Sequence, residues 1–150
     1  MTTREKNAEV MLEIFRAIER RDQRRMFDLV HTDAEFLWPP SLPYADARRP
    51  KPGGPGWGTT WIPLQPDEDD RRLEPRVVAA KDDEVVIHWQ QKGVSPTGER
   101  INTPVLGLYR LRDGKLAHAQ MFYFDSAAVV AFLSRANASG EAAKAASAAP

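Results

Sequence analysis

The chain has 150 residues, no cysteine, three histidines, and 21 basic side chains balanced by 21 acidic ones. That is about one domain's worth of core, and the balanced charge argues against a dedicated nucleic-acid binder, which carries a basic excess. Without cysteine there is no disulfide scaffold, thiolate metal site or thiol catalysis, and three histidines far apart in the chain give a metal site no support. The start of the chain is charged and lacks an apolar stretch, and the longest apolar run, Ala127 to Leu133, is far short of a membrane span. A cytoplasmic protein without membrane or nucleic-acid contacts and without a cofactor is expected.

Residues 4–20 read as a helix, with Met11, Ile14, Phe15 and Ile18 on one stripe and Thr2 with Glu5 as a capping box. Arg20-Arg21-Asp22 breaks that stripe. A second, short helix carries Met26, Phe27, Leu29 and Val30, with His31 as a cap at its end. Ala34 to Trp38 is a short strand, stopped by Pro39-Pro40. From there to Pro66 the chain is rich in proline and glycine and cannot hold a regular ladder. It nonetheless carries Tyr44, Trp57 and Trp61, so an ordered loop packed on the body is expected, with the two tryptophans on one helical turn. The charge run Asp67 to Arg72 reads as a solvated turn, and the arginines around Arg20 as a solvated helix face.

Four strands follow: Pro75–Ala80, Glu84–Lys92, Arg100–Leu111 and Leu116–Phe124. Between them lie Lys81-Asp82-Asp83, Ser95-Pro96-Thr97-Gly98 and Arg112-Asp113-Gly114-Lys115, all of turn composition. Asp125-Ser126 caps a final helix, 126–136, and residues 137–150 read as a disordered tail. Helices first and hairpins afterwards define an α+β class, in a single domain over 1–136.

Glu84-Val-Val-Ile-His-Trp89, Ser95-Pro-Thr-Gly98, Pro104-Val-Leu-Gly-Leu-Tyr109, Asp113-Gly-Lys115 and Met121-Phe-Tyr-Phe-Asp125, with Arg20-Arg-Asp22 and Phe27-Asp-Leu-Val30 ahead of them, resemble the nuclear transport factor 2-like (NTF2-like) superfamily. The likeness is to its SnoaL-like (polyketide cyclase) and limonene epoxide hydrolase branches, over roughly residues 8–135. It implies a cone: a curved, mostly antiparallel sheet wrapped around helices, with a deep apolar pocket. The same fold serves enzymes and non-catalytic binders.

The landmarks of the resemblance carry the limonene-type arginine onto His88, its aspartate partner onto Gln90, the second aspartate onto Met121, and the tyrosine and asparagine onto Phe36 and Trp38. None of these matches, so limonene-type epoxide hydrolysis is not expected. The resemblance also places the pocket on the His88 face of its strand. That face holds Val86, His88 and Gln90, with Thr103 and Val105, Met121 and Tyr123, closed by Phe36, Trp38, Tyr44 and the Trp57/Trp61 loop. His88 would be the proton carrier, with Gln90 and Tyr123 orienting an oxygen. A hydrophobic ring-containing substrate of polyketide or terpenoid type would be cyclised, isomerised or dehydrated. A non-catalytic binder of small hydrophobic molecules and a protein-interaction module are the alternatives. The opposite face, with Val85, Ile87, Trp89, Leu106, Leu108, Phe122 and Phe124, would be covered in a homodimer.

Overall fold

The computed structural model describes residues 1–148. Its elements are α1 (Thr3–Glu19), α2 (Gln23–Asp28), β1 (Val30–Leu37), α3 (Trp57–Trp61), α4 (Glu68–Arg71), β2 (Arg76–Lys81), β3 (Glu84–Val94), β4 (Arg100–Arg112), β5 (Lys115–Tyr123) and α5 (Ser126–Ala148). The sheet order is β1-β5-β4-β3-β2. β2 to β5 are joined as antiparallel hairpins, and β1 closes the far edge parallel to β5, pairing Val30 with Leu116 and Phe36 with Ala119. The α+β cone expected from the sequence is the fold observed, with α1 lying in the bowl.

α1 is held in the bowl by its apolar stripe: Met11, Ile14, Phe15 and Ala17 are buried against the sheet. Its end is a Schellman turn. Arg21 N–H bonds Ile18 O and Asp22 N–H bonds Ala17 O, which puts Arg21 in the left-handed region at φ 64°. A non-glycine residue there costs about 1–2 kcal/mol. Arg21 leaves the arginine cluster and donates to Gln65 Oε1 at 2.8 Å. The others behave as an exposed face: Arg16, Arg20 and Arg25 surround Glu13 and pull its carboxyl down to about 2.

Three local readings need correction. β1 begins at Val30, so His31 lies on a strand, its Nε2–H donating to Arg112 O at 2.6 Å, and does not cap α2. The charge run forms a helical turn in which Asp70 is buried, caps Asp67 N and pairs with Arg100 at 2.9 Å. The last helix continues to Ala148, past the expected end at 136. Half of residues 137–148 are alanine, the strongest helix former, and no proline interrupts them, so the helix runs on past Gly140.

The proline/glycine segment is ordered on the body, as expected. Phe36 N–H donates to Arg48 O at 2.6 Å, so the segment covers the free edge of β1. Leu42, Tyr44 and Trp61 form a second core with Val129, Phe132 and Leu133 of α5. Trp61 is fully buried and stacks on Phe132, with centroids 6.0 Å apart and planes 6° from parallel. Burying one indole this completely is worth up to about 5 kcal/mol. Gly93 of β3 makes the stack possible: a Cβ there would lie 2.7 Å from the Trp61 ring and 3.3 Å from that of Phe132.

Candidate functional site

The alternation of β3 decides what the bowl contains. Val85, Ile87, Trp89 and Gln91 point inward and are buried, while Val86, His88, Gln90 and Lys92 point outward. Cross-strand pairing extends the two faces: Trp89 stands opposite Val105, itself opposite Tyr123, and Gln91 stands opposite Thr103. On the outer face His88 stands opposite Leu106, itself opposite Phe122.

His88, Gln90 and Val86 are therefore on the wrong side of the sheet for the role the sequence reading gave them. The apolar alternation Val85, Ile87, Trp89 marks the inner face of β3, and the placement implied by the resemblance is off by one residue, which turns over a whole strand. Trp89 and Phe122, expected to share one face, lie on opposite faces. Phe36, Trp38, Tyr44, Trp57, Thr103, Val105, Met121 and Tyr123 do come to the inner side. Trp61 lies behind them in the second core.

Two adjoining cavities occupy the bowl. An outer vestibule of about 330 Å³ lies between the end of α1, α2 and the loop, lined among others by Ala17, Arg21, Phe27, Pro50 and Ile62. A smaller chamber of about 60 Å³ lies among the buried core residues, lined by Met11, Phe15, Leu73, Trp89, Tyr109 and Met121. Ile18, Met26, Phe36, Trp38 and Trp57 line both and form the waist between them. Trp38 packs edge-on against Tyr44 at 5.0 Å and Trp57 against Trp89 at 6.5 Å. An apolar cleft with few polar groups is the usual form of a small-molecule site.

The loop is fixed over this cleft by one run of hydrogen bonds. Trp61 Nε1–H donates to the Tyr44 hydroxyl (3.1 Å), which lies 2.8 Å from that of Tyr123. Tyr123 donates to Gln91 Oε1 (2.9 Å), and Trp57 Nε1–H donates to the same oxygen (2.6 Å). Indole is donor-only, and each hydroxyl owns one proton, so Tyr44 must donate to Tyr123. Gln91 is thus the sink of the run and the residue that orients Trp57 at the waist. Sequence reasoning missed it, although its signal was present: a polar residue continuing the apolar parity of Val85, Ile87 and Trp89.

All three tyrosines of the chain, Tyr44, Tyr109 and Tyr123, lie in this region. Burial pushes each hydroxyl up, Tyr44 to about 12 and the other two well above the usual tyrosine value. The fold holds the neutral form, whereas the unfolded chain ionises near pH 10. Stability is therefore full below about pH 10 and falls as the pH rises toward 12, by about 1.4 kcal/mol per unit for each tyrosine. Alkaline titration followed by phenolate absorbance should show no ionisation at pH 10 and then a cooperative step coincident with loss of circular dichroism. Gradual ionisation with the fold intact would show that the hydroxyls are not sealed.

Among the described residues no aspartate, glutamate or histidine lines the chamber, and Asp22 at the vestibule is the only carboxylate lining either cavity. Nor do three or more potential metal ligands come together among them, and no helix there is long and apolar enough to cross a membrane.

The comparisons with known proteins agree with this architecture. A family model described as a SnoaL-like domain matches residues 11–119. No curated protein matches the chain. Among solved structures it is similar to TerC co-crystallised with polyporic acid, with 19% identity, a TM-score of 0.65, and 86% of this chain and 98% of that one covered. It is similar too to a candidate SnoaL-like polyketide cyclase from Jannaschia sp. CCS1 (16% identity, TM-score 0.63, 86% and 93% covered). An NTF2-like protein from Burkholderia xenovorans LB400 has 15% identity and a TM-score of 0.59, with 91% and 98% covered. At these identities the likeness carries the fold and no more.

Proposed function

The chain belongs to the SnoaL-like domain family, and we propose that it binds a hydrophobic, ring-containing small molecule of the polyketide or terpenoid type. The observation that carries this is the waist of Phe36, Trp38 and Trp57 between vestibule and chamber. All three rings line both cavities, so they supply aromatic surface on which a flat ring system can pack. The setting we assign is the cytoplasm, in keeping with a cysteine-free chain. The interaction-module alternative has less support, because the loop turns Tyr44 and Trp61 inward.

Catalysis of cyclisation, isomerisation or dehydration is the second reading, in keeping with the SnoaL-like family match. With no carboxylate or imidazole in the chamber, such an enzyme would act chiefly by folding its substrate into a reactive shape. The outer row of Leu106, Phe122 and Phe124, which are 41%, 51% and 83% exposed, suits the covered face of a homodimer.

Incubation with a mixture of polycyclic aromatic ketones, phenols and terpenoids, followed by native mass spectrometry, should show one small molecule retained per chain. Failure to retain any of them would overturn the binding reading. Conversion of a retained compound would promote the catalytic one.

A further inference from the structure

Trp89 carries a feature that the binding reading does not use. Its side chain is 4% exposed and lines the chamber, yet its indole N–H has no hydrogen-bond partner among the described residues. Leaving such a donor buried and unpaired is costly, and most buried polar groups in folded proteins are paired. Two of the other three tryptophans have an acceptor for the indole N–H, Gln91 for Trp57 and Tyr44 for Trp61.

The Tyr109 hydroxyl lies near enough to the same indole for the N–H to ease its ionisation slightly, but it is not in line with that N–H. It occupies the space that a side chain at Gly107 would fill, so the glycine lets the Tyr109 ring fold back along the sheet toward the chamber. The two polar groups thus stand together in an otherwise apolar cavity, and the indole N–H has no acceptor among the described residues.

We infer that Trp89 Nε1–H and the Tyr109 hydroxyl are the recognition point for an uncharged acceptor oxygen, such as a ketone or quinone carbonyl, on the end of the ligand that enters the chamber first. This rests on the binding reading above and sharpens its ligand class. An oxygen placed between the two donors accepts from both, while the apolar body of the molecule fills the waist and vestibule. A carboxylate is disfavoured there, since the chamber offers no cation to pair it.

The test uses two probes of one shape, 2-acetonaphthone and 2-isopropylnaphthalene. Their affinities are measured for the full chain and for Trp89→Phe and Tyr109→Phe. The preference for the ketone over the hydrocarbon should fall about 3- to 10-fold in each variant, with hydrocarbon binding changed much less. In the unsubstituted protein the Trp89 indole N–H resonance should move downfield with the ketone and stay in place with the hydrocarbon. That measurement stands even where a variant folds poorly. Equal binding of both probes with an unmoved N–H resonance would overturn the inference and leave the binding reading intact. If neither probe binds, the binding reading falls and the inference falls with it.

Discussion

Trp89→Glu should leave no folded protein, whereas Phe122→Glu should leave a folded monomer. Trp89 sits inside the bowl against Phe15 (5.9 Å), Tyr123 (6.1 Å) and Trp57 (6.5 Å). Removing a core tryptophan costs about 3–5 kcal/mol. A glutamate in its place adds either an unpaired buried charge or a protonated carboxyl held above its usual value. The sum is more than about 5 kcal/mol, which equals the whole stability of many domains. Phe122 is half exposed on the outer face, so a charge there meets water in the monomer and the partner only in a dimer. Circular dichroism and light scattering separate the outcomes. A folded Trp89→Glu protein would show that the face assignment of β3 is wrong.

Gln91→Leu should lower stability by about 2–5 kcal/mol and the melting temperature by about 5–15 °C. The two side chains are similar in size, so packing changes little and the hydrogen bonds carry the effect. Gln91 is fully buried and its Oε1 accepts from both Trp57 and Tyr123. The leucine leaves the Trp57 N–H and one hydroxyl proton without an acceptor: Tyr123 can turn its proton onto Tyr44, whose oxygen has a second lone pair beside the Trp61 N–H, but the Tyr44 proton is then the one left over. With Trp57 released from its fixed pose, ligand affinity should fall as well. Calorimetry with and without a retained ligand checks both. A loss under about 1 kcal/mol would mean that water replaces the amide oxygen at little cost.

Most of the fold could be read along the chain because its signals are local. The stripe of Met11, Ile14, Phe15 and Ile18, the Asp113-Gly114 turn and the proline block after Trp38 each act over a few residues, and the elements stand where these put them. The site was harder, because it depends on which face of each strand points inward. Along β4, Val105 and Tyr109 face in while Leu106 and Leu108 face out, so apolar character does not distinguish its faces. β3 did carry the answer in Val85, Ile87 and Trp89, and landmark spacing borrowed from relatives overrode it. The vestibule escaped notice for another reason: Arg21, Met26 and Pro50 meet only through tertiary packing, and no short motif announces that.

The parallel pairing of β1 with β5 has a consequence for how the protein is made. Val30 finds its ladder partner in Leu116, so the first strand leaves the ribosome long before its neighbour exists. The hairpins β2 to β5 can each zip up as they emerge, but the bowl stays open until the last of them is complete. Through that interval Phe36 and Trp38 have only the loop for cover, and Pro39-Pro40 directly behind them denies the nascent strand a continuous edge on which another chain could grow. The same two prolines that end β1 in the finished fold thus guard it during synthesis, and removing them should show first as aggregation of newly made chains.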